Sequence, residues 1–208
     1  MMKKIVFSII FLTNFSYLIS STAVGNELTV TTESNKKEYK QAYFAGGCFW
    51  CMEESFDKVK GVIKSISGYS GGHVKNPTYK QVIYEKTGHV EAIEVTYDPN
   101  ATNYKKLLNI FWENIDPFDA TGQFCDKGES YRSVAFYRNN TQKNHIEKDI
   151  KDIEGKFQDK EVVTLIWEFD KFYPAEDYHQ NYYQNNFLRY LAYKSGCQRE
   201  EKLNKIWN

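Results

Sequence analysis

Residues 40–61 read KQAYFAGGCFWCMEESFDKVKG. The first six residues read as a strand that runs into Gly46 and Gly47. From Cys48 to Lys60, Phe49, Met52, Phe56 and Val59 recur at three- and four-residue steps, the period of a helix with one apolar stripe. Gly61 closes that helix. Strand, two-glycine turn and helix thus follow one another with a cysteine at the helix start. Working outward, VIKSISGY (62–69) alternates and predicts a strand. A loop follows, and Thr78 caps a short helix over 79–84. GHVEAIEVTYD (88–98) is the clearest strand, although Ile93 interrupts a strict alternation. A helix over 103–114 carries Leu107, Leu108, Phe111 and Trp112 on one stripe. Residues 116–129 form a long loop of the kind that often carries function. A strand over 132–137, a helix over 141–157 and a strand over 162–169 come next. Pro174 is read as opening a helix to about residue 189, and a last short helix ends near Trp207. This order predicts an α+β domain of two layers, with helices packed on one sheet.

The 208 residues hold 27 basic and 27 acidic side chains. That balance, without a run of like charge, argues against a nucleic-acid binder. Aromatic residues make up 16% of the chain, enough for a large core and for flat pocket walls. The start of the chain reads differently. A basic Met1-Met2-Lys3-Lys4, a mostly apolar stretch over 5–19 and small residues around 21–25 are the layout of a secretory signal peptide. The apolar stretch is shorter than the ~20 residues of a spanning helix. The expected organisation is a signal peptide over 1–25, a flexible lead-in over 26–39 and one catalytic domain over 40–208. Export to a bacterial periplasm is expected, with a membrane tether by an uncleaved leader as the alternative. There is no internal repeat, and the domain is expected to work as a monomer.

Export governs how Cys48, Cys51, Cys125 and Cys197 are read. Two structural disulfides are the default in an oxidising compartment. A domain of this length has core enough without them, and a bridge across Cys48-Phe49-Trp50-Cys51 would close too short a loop to stabilise much. Reactive thiols fit better. Cys48 in the first turn of a helix meets unpaired N–H groups and the positive end of the helix dipole, so its pKa is expected to fall. The glycines before it permit close approach of a ligand. Periodicity puts Phe49 in the core, while Trp50 is off that stripe and is assigned to a pocket wall. Glu91 and Glu94, three apart on a strand, point to opposite faces. A carboxyl set among aromatic rings would have a raised pKa and could donate a proton. Tyr79, Asp126 and Tyr131 are further polar candidates whose joint occurrence carries the weight.

Seven segments, in order, match one family: GGCFW (46–50), GVIKSISGYSGG (61–72), NPTY (76–79), GHVEAIEVTYDP (88–99), FWENIDP (111–117), GQFCDKGESYRS (122–133) and FYPAEDYHQNYY (172–183). The chain resembles the A-type peptide methionine sulfoxide reductases from about residue 40 to 197. The resemblance implies an α+β plait with a ferredoxin-like core and long functional loops. It implies Cys48 as nucleophile and Glu91 as the acid that protonates the sulfoxide oxygen, helped by Tyr79 and Tyr131. Phe49 and Trp50 would hold the substrate methyl group, Asp126 would orient substrate, and Tyr182 would line the pocket. The implied chemistry passes through a cysteine sulfenic acid and a disulfide, needs no metal or organic cofactor, draws on an external thioredoxin-like dithiol and selects the S epimer of the sulfoxide.

Two departures from the family pattern bear on recycling. Cys51 stands where the family most often has glycine, and the tail carries only Cys197. Cys197 is expected to resolve the sulfenic acid, with Cys51 as the alternative resolver, and Cys125 is expected to be a silent buried thiol. Two other classes were weighed. A thioredoxin-like disulfide exchanger would use Cys48 and Cys51, but the four prolines after the leader each have a better explanation than partnering that pair. A zinc-braced binding domain using Cys48, Cys51, Cys125 and a histidine lacks the second short ligand spacing.

Overall fold

The computed structural model describes residues 37–208. The expected leader and nearly all of the lead-in lie outside the described residues. The first strand, β1 (Lys40–Gly46), leads through the two glycines into α1 (Phe49–Asp57), and β2 (Val62–Ser70) returns. The short α2 (Tyr79–Tyr84), β3 (Val90–Tyr97) and α3 (Tyr104–Glu113) follow. The long loop contains a two-residue ribbon, β4 (Gly122–Gln123) against β5 (Asp126–Lys127). Then come β6 (Ser133–Tyr137), α4 (Asn140–Lys156), β7 (Leu165–Glu168) and β8 (Phe172–Pro174). The tail is built from α5 (Tyr182–Asn185), α6 (Phe187–Gly196) and α7 (Arg199–Trp207).

The six-stranded sheet has the order β7-β6-β1-β3-β2-β8. Its centre, β6-β1-β3-β2, is antiparallel throughout, and β7 joins β6 in parallel at the edge. Two strand–helix–strand units with interleaved central strands are the ferredoxin-like plait, so the α+β expectation holds. Helices pack on one face. Ala42 and Phe44 from β1 and Ile93 and Val95 from β3 meet Met52 and Phe56 of α1, the stripe Leu107, Leu108, Phe111 and Trp112 of α3, and Ile146 of α4. On the other face, Tyr43, Ala45, Val90, Ala92, Val134 and Phe136 lie under Trp167, Phe169 and Phe172. Both faces being covered, apolar residues occur at successive positions of β3, which is why its sequence alternation is imperfect.

Local chemistry sets the boundaries. Thr78 accepts from the Gln81 N–H, and Gln81 reaches back to the Thr78 N–H, closing a capping box on α2. Asn103 and Asn139 cap α3 and α4 through side-chain acceptors. The two helices are pinned where Trp112 Nε1 donates to Asp149 at 3.0 Å and Lys105 pairs with the same carboxylate at 2.8 Å.

The helix expected from Pro174 is a correction. Pro174 ends an edge strand, with Tyr173 registered on Tyr69 and Pro174 on Gly68. An edge is where a residue lacking an N–H is tolerated in a sheet. The chain then makes one 3-10 turn (Asp177–His179) and passes through Asn181 in a left-handed conformation, φ 51°, before α5 begins. Glu53 fixes that kink by accepting the Asn181 N–H at 3.1 Å. Among the described residues, no helix is long and apolar enough to cross a membrane.

Phe111 is fully buried in the main core and stacks on Phe44 with centroids 5.2 Å apart. Phe111→Ala is expected to cost about 3–5 kcal/mol through lost burial and the cavity left behind. Urea denaturation checks this: the midpoint falls with the slope unchanged, and a loss under about 1 kcal/mol would contradict the packing described.

Candidate active site

The turn between β1 and α1 is tight because the loop ribbon presses on it. Gly47 has φ 75°, and a Cβ there would lie 2.5 Å from Gln123 Cβ. Gln123 is itself locked: its side-chain carbonyl accepts the Asp116 N–H at 2.7 Å and its amide donates to the Asp116 carbonyl at 2.8 Å. Cys48 is therefore held at the N-cap of α1, where its carbonyl accepts the Cys51 and Met52 N–H groups.

Glu91 sits on β3 opposite Tyr69 of β2 and is 2% exposed. Its carboxyl accepts the first free N–H of α1, that of Phe49, at 3.0 Å. Glu94 points to the other face and accepts from Tyr43 at 2.9 Å, as the spacing of the two glutamates predicts. The helix N-terminus thus serves a carboxyl, and the expected depression of the Cys48 pKa does not occur. Burial pushes the Cys48 thiol well above its usual range, reinforced by its hydrogen bond to Cys51 and by the nearby Glu91. Burial also raises Glu91 well above the usual carboxylate range, against the pull of the Phe49 N–H.

Cys48, Phe49, Trp50, Tyr79, Glu91, Asp126, Tyr131 and Tyr193 enclose one cavity of about 80 Å³. All the sequence-predicted residues except Tyr182 and the resolving thiols are in this wall. Phe49 is both core and wall: it packs on Tyr69 and Val82 from one side and faces the cavity from the other. Tyr182 stands behind the wall, stacked on the Trp50 indole at 3.8 Å and nearly parallel.

The polar wall is built to donate. Burial and the neighbouring Glu91 push the Tyr79 phenol up to about 12 and raise that of Tyr131 further, so both keep their protons. Glu176 places Tyr79 by accepting its N–H at 2.8 Å, and the same carboxylate accepts from Tyr69. His179 was not singled out in the sequence. Burial lowers its pKa to about 4, leaving the ring neutral, and its Nδ1 accepts the Trp50 indole N–H at 3.2 Å.

Tyr193 is the other residue that sequence reasoning missed. It lies on α6, lines the cavity beside Cys48 and donates to Asp126. Nothing in the YKSGC stretch marks it, because its role exists only once α6 folds back over α1. Arg199, at the start of α7, is 3% exposed and donates to the carbonyls of Gly46 and Asn114. Its guanidinium also lies over the Phe124 ring at 4.5 Å.

The cysteines pair in an unexpected way. Cys125 is exposed and bonded to Cys197, and is not a silent buried thiol. The ribbon turn at Phe124 and Cys125 brings it out of the core to the C-terminus of α6. Cys197, expected as the resolving thiol, has no free sulfur while that bond stands. Cys48 and Cys51 are both free and buried. The hydrogen bond from Cys48, against the opposing effect of burial, lowers Cys51 to about 7, with help from Arg199, Tyr190 and Lys194. The zinc tetrad is not assembled, since Cys125 is bonded away from the Cys48–Cys51 pair. Among the described residues, the one group close enough to share a metal is Cys125, Asp126 and Cys197, and its two sulfurs are joined to each other.

Comparison with known proteins agrees with this geometry. The model of the family "Peptide methionine sulfoxide reductase" matches residues 40–208. A peptide methionine sulfoxide reductase MsrA of Limosilactobacillus reuteri is 47% identical over 168 residues, covering 80% of this chain and 95% of its own. One of Bacillus licheniformis is 48% identical, over 80% of this chain and 92% of its own. Among solved structures, reduced Mxr1 of Saccharomyces cerevisiae superposes with a TM-score of 0.67 at 28% identity, over 73% of this chain and 88% of that one. Methionine sulfoxide reductase A of Corynebacterium diphtheriae gives 0.65 at 27% identity, over 73% and 77%. With a cysteine, a buried carboxyl and an aromatic wall assembled around one small cavity, and with the match running from the first strand to the last residue, the chain belongs to the peptide methionine sulfoxide reductase family.

Proposed function

We propose that this protein reduces methionine S-sulfoxide, free or in proteins, to methionine, with Cys48 as nucleophile, Glu91 as acid and Cys51 as the first resolving thiol. The observation that carries the reading is the buried Glu91 carboxyl, fixed by the Phe49 N–H in the same cavity wall as Cys48. Burial raises its pKa well above the usual carboxylate range and so favours the protonated form, as proton donation to a departing oxygen requires.

The resting pair of thiols shares charge, with Cys51 the easier of the two to ionise. Transfer of the Cys48 proton to Cys51 gives the attacking thiolate. Its sulfur bonds to the sulfoxide sulfur, and Glu91 protonates the sulfoxide oxygen while Tyr79 and Tyr131 donate hydrogen bonds to it. The hydroxyl passes to Cys48, the sulfoxide sulfur gains two electrons, and methionine leaves a Cys48 sulfenic acid. Cys51, one helical turn away, displaces water from it to form a disulfide. A thioredoxin-like dithiol then exchanges with that disulfide and restores both thiols. Phe49 and Trp50 receive the methyl group, and Asp126 orients the substrate. The chain's own residues perform each of these steps, so the scheme calls on no metal or organic cofactor. The basic and apolar start of the sequence supports export to a periplasm and repair of proteins there.

Single-turnover assays on each sulfoxide epimer test this. Cys48→Ser is expected to form no methionine, and the S epimer is expected to be the substrate. Glu91→Gln is expected to slow the reductive step by roughly 10²–10⁴-fold. In the wild type that step should also slow as pH rises and Glu91 loses its proton, and the Gln variant should lack this alkaline decline. An unchanged rate in Glu91→Gln would remove the acid from the scheme.

Recycling is tested separately. Cys51→Ser is expected to slow the reductive step, because it also removes the thiol that takes the Cys48 proton, to yield no more than one methionine per chain and then to stop with a thioredoxin-like donor. Full turnover in that variant, together with its loss in Cys197→Ser, would return the resolving role to Cys197.

A further inference from the structure

The Cys125–Cys197 disulfide has no part in the scheme above, yet both of its cysteines sit next to the cavity. Cys125 directly precedes Asp126, and Cys197 follows Tyr193 by one helical turn on the same helix. Asp126 and Tyr193 both line the cavity and are hydrogen-bonded to each other. The bond therefore clamps, across 72 residues of sequence, the two segments that carry Asp126 and Tyr193 into the pocket wall.

The loop side needs such a clamp. Asp126 lies on a ribbon of two residue pairs, Gly122 with Lys127 and Gln123 with Asp126. Two pairs alone do not make a stable hairpin in water. The base of the ribbon is tied down through Gln123 and Asp116 and through the Gly128 N–H to the Thr121 carbonyl. Its tip, where Phe124 adopts φ 55°, is held to the tail by the disulfide and by the Arg199 guanidinium over the Phe124 ring.

We propose that the Cys125–Cys197 disulfide positions the polar wall of the substrate pocket, Asp126 and Tyr193, and that its reduction weakens substrate binding. Reduction by a dithiol moves two electrons into the sulfur–sulfur bond, leaves a thiol on each cysteine and converts the dithiol to its disulfide. Freed at its tip, the ribbon samples positions in which the Asp126–Tyr193 hydrogen bond is open, and the substrate must re-order them on binding. The site is then at full strength only where the surroundings keep this bond oxidised. The inference rests on the substrate pocket assigned above.

The test uses the full chain carrying Cys48→Ser, which binds without turning over. Affinity for a short peptide containing methionine sulfoxide is read by isothermal titration calorimetry, first with Cys125–Cys197 oxidised and again after reduction by dithiothreitol and its removal. Thiol alkylation and mass measurement confirm each state. Affinity is expected to fall about fivefold on reduction and to return on reoxidation. Adding Tyr193→Phe should weaken the oxidised form and abolish the further loss on reduction, an effect that general loosening of the fold would not produce. Equal affinity in both redox states would overturn the proposal. Binding in neither state would overturn the pocket assignment, and the proposal with it. In the otherwise unaltered enzyme, Cys125→Ala with Cys197→Ala should raise KM about fivefold while the single-turnover rate at saturation stays within about twofold. A KM at the wild-type value would count against the brace.

Discussion

The hydrogen bond from the Phe49 N–H to the Glu91 carboxyl, 3.0 Å long and buried, is the constraint on which the site depends. It joins the N-terminus of the first helix to the third strand, across the β1 turn that presents Cys48. The same bond orients the carboxyl and leaves its other oxygen free to carry a proton. A helix N-terminus ordinarily favours an anion. Here that preference is outweighed, because full burial penalises the charged form more than one N–H rewards it. The result is a carboxyl biased toward its neutral form beside a thiol that is itself reluctant to ionise. In the proposed scheme Cys48 gains its charge through a neighbour rather than from the helix, and Cys51, lowered to about 7, is that neighbour.

Around this pair the fold supplies three layers of support. The plait presents the turn and Glu91 from its central strands. The long loop brings Asp126 and Tyr131 and packs Gln123 against Gly47. The tail returns over α1, so that Tyr193 completes the wall while Tyr182 and Arg199 support it from behind. Joining loop and tail by a disulfide over 72 residues contributes on the order of 4 kcal/mol in the chain-entropy picture. That is a large share of the stability of a typical domain. The tail is thus part of the folded unit and part of the pocket at once.

Much of this was legible in the residues. Apolar period placed α1, α3 and α4 closely, and the order of elements along the chain pointed to an α+β domain, while the plait came from the resemblance. The three-residue spacing of Glu91 and Glu94 on a strand put them on opposite faces, and the resemblance to the family singled out Glu91. What could not be read depended on contacts between distant segments. Pro174 suggested a helix start, but pairing of Tyr173 with Tyr69 made it an edge strand. The thiol pKa was misjudged because a turn sequence reveals dipoles but not the depth of burial. Cys125 and Cys197 became partners only because a ribbon and a helix end meet. Tyr193 carries no local signal at all.

Glu91 is expected to be a neutral acid in the resting protein. Carbon-13 labelling of glutamate, with the Glu91 carboxyl resonance assigned by comparison with Glu91→Gln, allows its titration to be followed by NMR. The account predicts a resonance that is still that of the protonated acid at pH 7, far above the ordinary glutamate midpoint of about 4.3. A midpoint in that ordinary range would mean an ionised carboxylate next to Cys48 and would contradict the account.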